Sequence, residues 1–131
     1  MKQSFSLPDV GWDVTVYYAA GKTGAKEVLE KLENIGCSGE TLASAKSNLE
    51  RAALDTGLTY SNYTNRSSVL VIHKASNVGE FVNTLSHEKM HLEMHICDAL
   101  DINPYSEEAA RLSGGISQII VEKALRSIVA L

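Results

Sequence analysis

The chain has 131 residues, 44% apolar and 21% charged, with a net charge of −4 from 12 basic and 16 acidic side chains. That length suits a single domain over residues 1–131, large enough to bury a core without disulfides or metal. The acidic balance and the lack of any basic run give no reason to expect a nucleic-acid partner, and no stretch approaches the roughly 20 apolar residues of a membrane span.

Met1–Asp9 lacks an apolar segment of signal-peptide length. Val14-Thr15-Val16-Tyr17-Tyr18 has the composition and alternation of a strand. Gly21 and Gly24 interrupt the chain, and Ala25–Asn34 follows as a helix with Val28, Leu29, Leu32 and Ile35 at helical spacing and Gly36 as its stop. Ser38 is a cap for a second helix running to about Leu54, with Leu42, Ala45, Leu49 and Ala52 inward, and Asp55-Thr56-Gly57 ends it. Cys37 and Cys97 form no CxxC pair and read as isolated thiols of a reduced compartment, so a cytoplasmic location is the expectation.

Leu58–Ser61 reads as a short strand, Asn62–Arg66 as a polar loop, and Ser68–His73 as the clearest strand of the chain. Asn77-Val78-Gly79-Glu80 has capping-box spacing and opens a long helix to about Leu100. Asp101-Ile102-Asn103-Pro104 forms a corner, with Pro104 suited to the first position of a last helix. The apolar run Ile116–Leu131, broken by Gln118, Glu122, Lys123 and Arg126, belongs to that helix. The order (strand, two helices, two strands, two helices) predicts an α+β fold.

Within the long helix, His87-Glu88-Lys89-Met90-His91 sets two imidazoles one turn apart with a carboxylate between them, a pattern that holds zinc and supplies a base. Such a match arises by chance in roughly one chain of this make-up in a hundred, so its surroundings must decide. At about 100° per residue from His87, His91 falls near +40°, Asp98 near +20°, Thr84 near +60°, His95 near +80° and Glu88 near +100°. Phe81, Leu85, Leu92, Ile96 and Leu100 lie between about +120° and +220°, where only Lys89 intrudes, its stem snorkelling. A greasy stripe thus runs beside a polar one, as on a helix lining a cleft.

His87 and His95 lie about 12 Å apart along the axis and cannot share an ion. The pair His91/His95 has Leu92 where Glu88 stands in the first pair, and so lacks a base. His95 is then a cleft residue, a partner of Asp98, or a side chain without a role. Met90 and Met94 are expected to pack.

Zinc wants a third protein ligand and an open position. The last helix, folded back after the corner, offers Glu107 or Glu108, which point about 100° apart. Either acid can instead serve the helix dipole at that N-terminus, the preferred reading for Glu108. Gly114, seven residues after Glu107, shares its face and would let the helices approach closely.

His87-Glu88-x-x-His91 followed by a glutamate on a downstream helix resembles the gluzincin metallopeptidases, the thermolysin-like group. The short chain is most similar to a minigluzincin, in which a short mixed sheet with an edge strand packs on the active-site helix and a glutamate helix follows. The block Glu107-x-x-Ala110-x-Leu112-x-Gly114-x-Ile116 also resembles small metallopeptidase-like proteins of phages and prophages of gut bacteria. The likeness covers residues 68–116, and its register favours Glu107 over Glu108. One departure is Arg111, where thermolysin-like enzymes often carry an acid or amide four positions after the third ligand. Asn83, one turn before His87, is a substitute for that supporting contact.

The resemblance implies a zinc-dependent peptidase in a bacterial or phage-infected cell, with Zn²⁺ on His87, His91 and Glu107, Glu88 as general base, and a peptide or protein as substrate. The strand Ser68–His73 would form the cleft edge on which an extended peptide pairs. Tyr60, Tyr63, His73, His95, Tyr105 and Arg111 are candidates for stabilising the oxyanion; packing is the commoner role for Tyr60 and Tyr63, and a water-facing strand end for His73. The competing expectations are a non-catalytic zinc-binding protein of a phage or mobile element, which keeps the site for stability or partner binding, and a regulatory protease that cuts a repressor or toxin.

Overall fold

Two strands that are apolar on both faces fix the layering of the molecule. The computed structural model describes residues 1–131. It runs β1 (Lys2–Leu7), β2 (Trp12–Ala20), a 3₁₀ turn (Lys22–Gly24), α1 (Ala25–Asn34), α2 (Gly39–Arg51), β3 (Gly57–Asn62), β4 (Ser67–His73), α3 (Val78–Leu100) and α4 (Glu107–Val129). The fold is a small α+β domain with a four-stranded mixed sheet in the order β1-β2-β4-β3. β2 and β4 are parallel neighbours; β1 and β3 run antiparallel to them on the two edges.

Successive side chains alternate between sheet faces. Val14, Val16 and Tyr18 of β2, with Leu70 and Ile72 of β4, point to one side and meet Phe81, Leu92 and Ile96 of α3 and Ile116 and Ile120 of α4. Tyr17, Val69 and Val71 point to the other side and meet Val28 and Leu32 of α1 and Ala45 and Leu49 of α2. Helices cover both faces, so the central strands read as continuous apolar runs.

Helix α1 falls where the periodicity sets it, and Gly36 (φ +99°) closes it as its amide bonds back to the Glu33 carbonyl at 3.0 Å. The structure corrects several expectations. α2 stops at Arg51, because Ala52 turns left-handed (φ +43°) and caps it through Asn48, and the Ser38 hydroxyl makes no capping bond. Pro104 stays in the corner; Ser106 is the cap of α4, its hydroxyl accepting the Ala109 amide at 3.1 Å. β1 has no counterpart in the sequence reading: as an exposed edge strand it carries little apolar signal. The strand Ser68–His73 is not an edge at all, since β4 lies between β2 and β3. The free edge beside α3 is β3.

No helix is long and apolar enough to cross a membrane.

Candidate metal centre

Asn77 starts α3, its side-chain oxygen accepting the Glu80 amide at 2.9 Å. The apolar stripe of α3 lies on the sheet, which leaves His87 and His91 exposed on the outward side of the helix. Their rings sit 4.8 Å apart and nearly perpendicular, with the two Nε2 atoms 3.2 Å from each other. Zinc–imidazole bonds of about 2.05 Å at tetrahedral angles require two nitrogens about 3.3 Å apart. The separation of the pair is close to that value, and it is also that of a hydrogen bond between the two rings. With the Glu88 carboxylate, their ligand atoms all lie within 4.8 Å of one another.

Glu88 is buried, unlike its two neighbours in the motif. The hydroxyl of Thr59 on β3 donates to Glu88 Oε1 at 2.8 Å. A Cβ on Gly57, also on β3, would fall 2.8 Å from Glu88 Cγ and 2.9 Å from Oε2. The carboxylate is thus seated against bare backbone and held by one hydroxyl. Burial with a single donor keeps a carboxylate fixed in place as an acceptor, which is what a positioned base needs.

His95, two turns beyond His87, faces the sheet instead. Its Nδ1 lies 2.7 Å from Ser61 Oγ, Ser61 Oγ lies 2.6 Å from Ser68 Oγ, and the Trp12 indole donates to Ser68 at 2.9 Å. An indole N–H can only donate. If Ser68 then donates to Ser61, and Ser61 to His95, each hydroxyl gives one bond and takes one, which leaves the imidazole proton on Nε2. Burial pushes the His95 pKa down, as does nearby His91, while Asp98 opposes them. His95 is therefore a structural partner of β3 as well as a neighbour of the site. Tyr63 packs 5.9 Å from its ring and donates to Asp98 at 3.1 Å. Burial first, and then that carboxylate, push the Tyr63 hydroxyl up.

The other expected site residues lie apart. Glu107 is exposed at the first turn of α4 and is not part of the His87–Glu88–His91 cluster. The helices pack antiparallel, with Lys89 Nζ donating to Ser113 Oγ at 2.9 Å and Cys97 near Glu108. Those contacts set Glu107 level with residues 95–98 of α3, roughly 6–10 Å along the axis from His91. Gly114 is exposed with open space where a Cβ would stand, so it is no helix-contact glycine. Asn83 and Asp98 are exposed on α3. Arg111 lines a cavity of about 390 Å³ beside Leu7, Pro8, Asp9 and Glu108, away from the histidine pair. Tyr105 is exposed at the corner and Tyr60 half-buried on β3.

Three further corrections concern burial. His73 does not face water: it is 1% exposed, its Nε2 lies 2.9 Å from Asn48 Oδ1 and its Nδ1 lies 3.2 Å from the Ala20 carbonyl. Lys89 is held by Glu93 and Ser113 between the two helices instead of reaching water. Met90 and Met94, expected to pack, are 57% and 47% exposed.

Thr59, Gly57 and Ser61 were not legible as site residues. They share one face of a six-residue strand and gain their meaning only from what α3 lays against them. Comparison with family models, with curated proteins and with solved structures returned no match to this chain.

Proposed function

We propose that the protein is a zinc-dependent hydrolase of peptide bonds, with His87 and His91 as ligands and Glu88 as general base. The observation that carries the reading is the 3.2 Å separation of the two Nε2 atoms beside a buried, oriented carboxylate. Zinc, when bound, would supply a Lewis acid that polarises the scissile carbonyl and acidifies water. Glu88, seated against Gly57 and tethered by Thr59, takes the proton of the attacking water and delivers it to the leaving amine. The backbone of β3 offers an unpaired edge beside this carboxylate, and an extended substrate would align there by strand addition. An edge strand over a His-Glu-x-x-His helix, with a second helix folded back after it, supports the likeness to minigluzincins.

Glu107 would join the two imidazoles only through a shift of the first turn of α4 toward α3. The gap favours a second reading, in which the chain holds zinc on two histidines to grip a protein partner and performs no hydrolysis.

One set of measurements separates these readings. Purified protein should carry about one zinc, and a folded, metal-free protein that takes up none would remove the site itself. Glu88→Gln should retain zinc and lose proteolysis of a casein substrate; equal activity in that variant excludes the base role. No proteolysis by the zinc-loaded wild type leaves the partner-binding reading. A tenfold loss of zinc affinity in Glu107→Gln would make Glu107 a ligand, and an unchanged affinity would exclude it.

A further inference from the structure

The two exposed methionines share a surface with the two exposed histidines. Residues 87–95 read His-x-x-Met-His-x-x-Met-His. On α3, Met94 falls about 20° and Met90 about 60° from His87, on the side away from Glu88. Residues three and four apart on a helix have Cβ atoms about 5–6 Å apart, so the four side chains form one continuous outward patch.

The donors on this patch are unusual in kind. The one carboxylate of the cluster, Glu88, is buried and engaged by Thr59. Glu93 is tied to Lys89, and Asp98 to Tyr63. The two imidazoles, whose Nε2 atoms contact only each other, and the two thioether side chains remain on the exposed surface. Calcium and magnesium take oxygen donors, whereas soft sulfur donors favour copper(I) and its analogues. A neutral nitrogen–sulfur set also suits a single positive charge, which needs no carboxylate to balance it. Methionine has three rotatable side-chain bonds, so both sulfurs can swing toward an ion already held between the histidines.

We propose that His87, Met90, His91 and Met94 form a binding site for a soft monovalent ion, copper(I), for which silver(I) is a redox-silent probe. The site goes beyond the zinc reading but shares its histidines, so the two ions compete. Cys37 and Cys97 are weak rivals for the ion. Both thiols are buried, and burial pushes both pKa values up.

The test uses full-length protein with ¹³C-labelled methionine methyls, titrated with silver nitrate in chloride-free buffer. The Met90 and Met94 methyl signals should shift together and saturate at one silver per chain, while Met1, the remaining methionine, stays in place. Met90→Leu with Met94→Leu keeps helix propensity and exposed apolar bulk. This double variant should bind silver at least tenfold more weakly and zinc with unchanged affinity. The proposal is overturned if the double variant holds silver as tightly as the wild type, or if Met1 shifts while Met90 and Met94 do not. Silver bound as described by a protein that refuses zinc would remove the hydrolase reading alone; zinc bound with no silver response would remove this site alone.

Discussion

Gly57 and Glu88 fit together as a bare strand position and the carboxylate that fills it. A Cβ on Gly57 would fall 2.9 Å from Glu88 Oε2, 2.8 Å from its Cγ and 2.7 Å from the Val71 carbonyl oxygen. The last of these neighbours is backbone and cannot give way cheaply. Gly57→Ala is therefore expected to cost about 1–3 kcal/mol in stability, as overpacking does, measured by urea denaturation. Because the carboxylate must also move, the proposed peptide hydrolysis should fall at least tenfold. An alanine variant with wild-type stability would show that Glu88 has no fixed seat.

Thr59 is the only side chain that donates a hydrogen bond to the Glu88 carboxylate. Valine has the shape of threonine without the hydroxyl, and it would leave a buried carboxylate with no donor. Thr59→Val should lose about 1–2 kcal/mol of stability and lower kcat more than KM. Thr59→Ser should recover most of both. If the valine and serine variants behave alike, the hydroxyl does not position the Glu88 carboxylate.

His95 gives the folded protein a defined response to acid. Its folded pKa is lowered from the ordinary value of 6.5, chiefly by burial. The unfolded chain therefore binds more protons than the native one as pH falls below about 6.5. The stability that neutral His95 contributes is complete above that pH and is lost as pH drops through the lower, folded value. Metal-free protein should show a falling urea midpoint as pH drops below about 6.5, and His95→Gln should flatten that part of the curve. An unchanged slope in the variant would assign the acid response to other groups.

Lys89 and Glu93 form an ion pair that is largely enclosed between α3 and α4, with side chains 14% and 13% exposed. Removing one partner of such a pair leaves an uncompensated charge, whereas removing both can be neutral. Glu93→Ala is expected to destabilise the protein by about 2 kcal/mol or more, and Lys89→Met with Glu93→Leu by less than about 1 kcal/mol. The comparison is made by thermal and urea unfolding. Additive losses in the double variant would contradict a coupled pair.

The His87–Glu88–His91 cluster of the candidate site was legible in the chain because the motif is local. His87, Glu88 and His91 lie on one helix, and the 3.6-residue period alone separates the outward imidazoles from the apolar stripe of Phe81, Leu92 and Ile96. Glu107 was inferred from a downstream acid and a tight corner. The register of two antiparallel helices, which no single-helix period encodes, leaves it outside the His87–Glu88–His91 cluster, roughly 6–10 Å from His91 along the axis.

What the sequence by itself determined is the set of elements with strong periodicity: α1, the long α3, the apolar β4, and the pairing of two imidazoles with a carboxylate on one helix. These follow from interactions within a few residues. Only the tertiary structure decided which strand is the free edge and which glycine and threonine seat Glu88. Sheet order brings β3, and not β4, to the edge beside α3, and it sets Gly57, Thr59 and Ser61 against residues about 30 positions away. Such contacts depend on strand register and layer packing. In the linear chain, Gly57 reads as part of a helix stop, and Thr59 and Ser61 as ordinary members of a short strand.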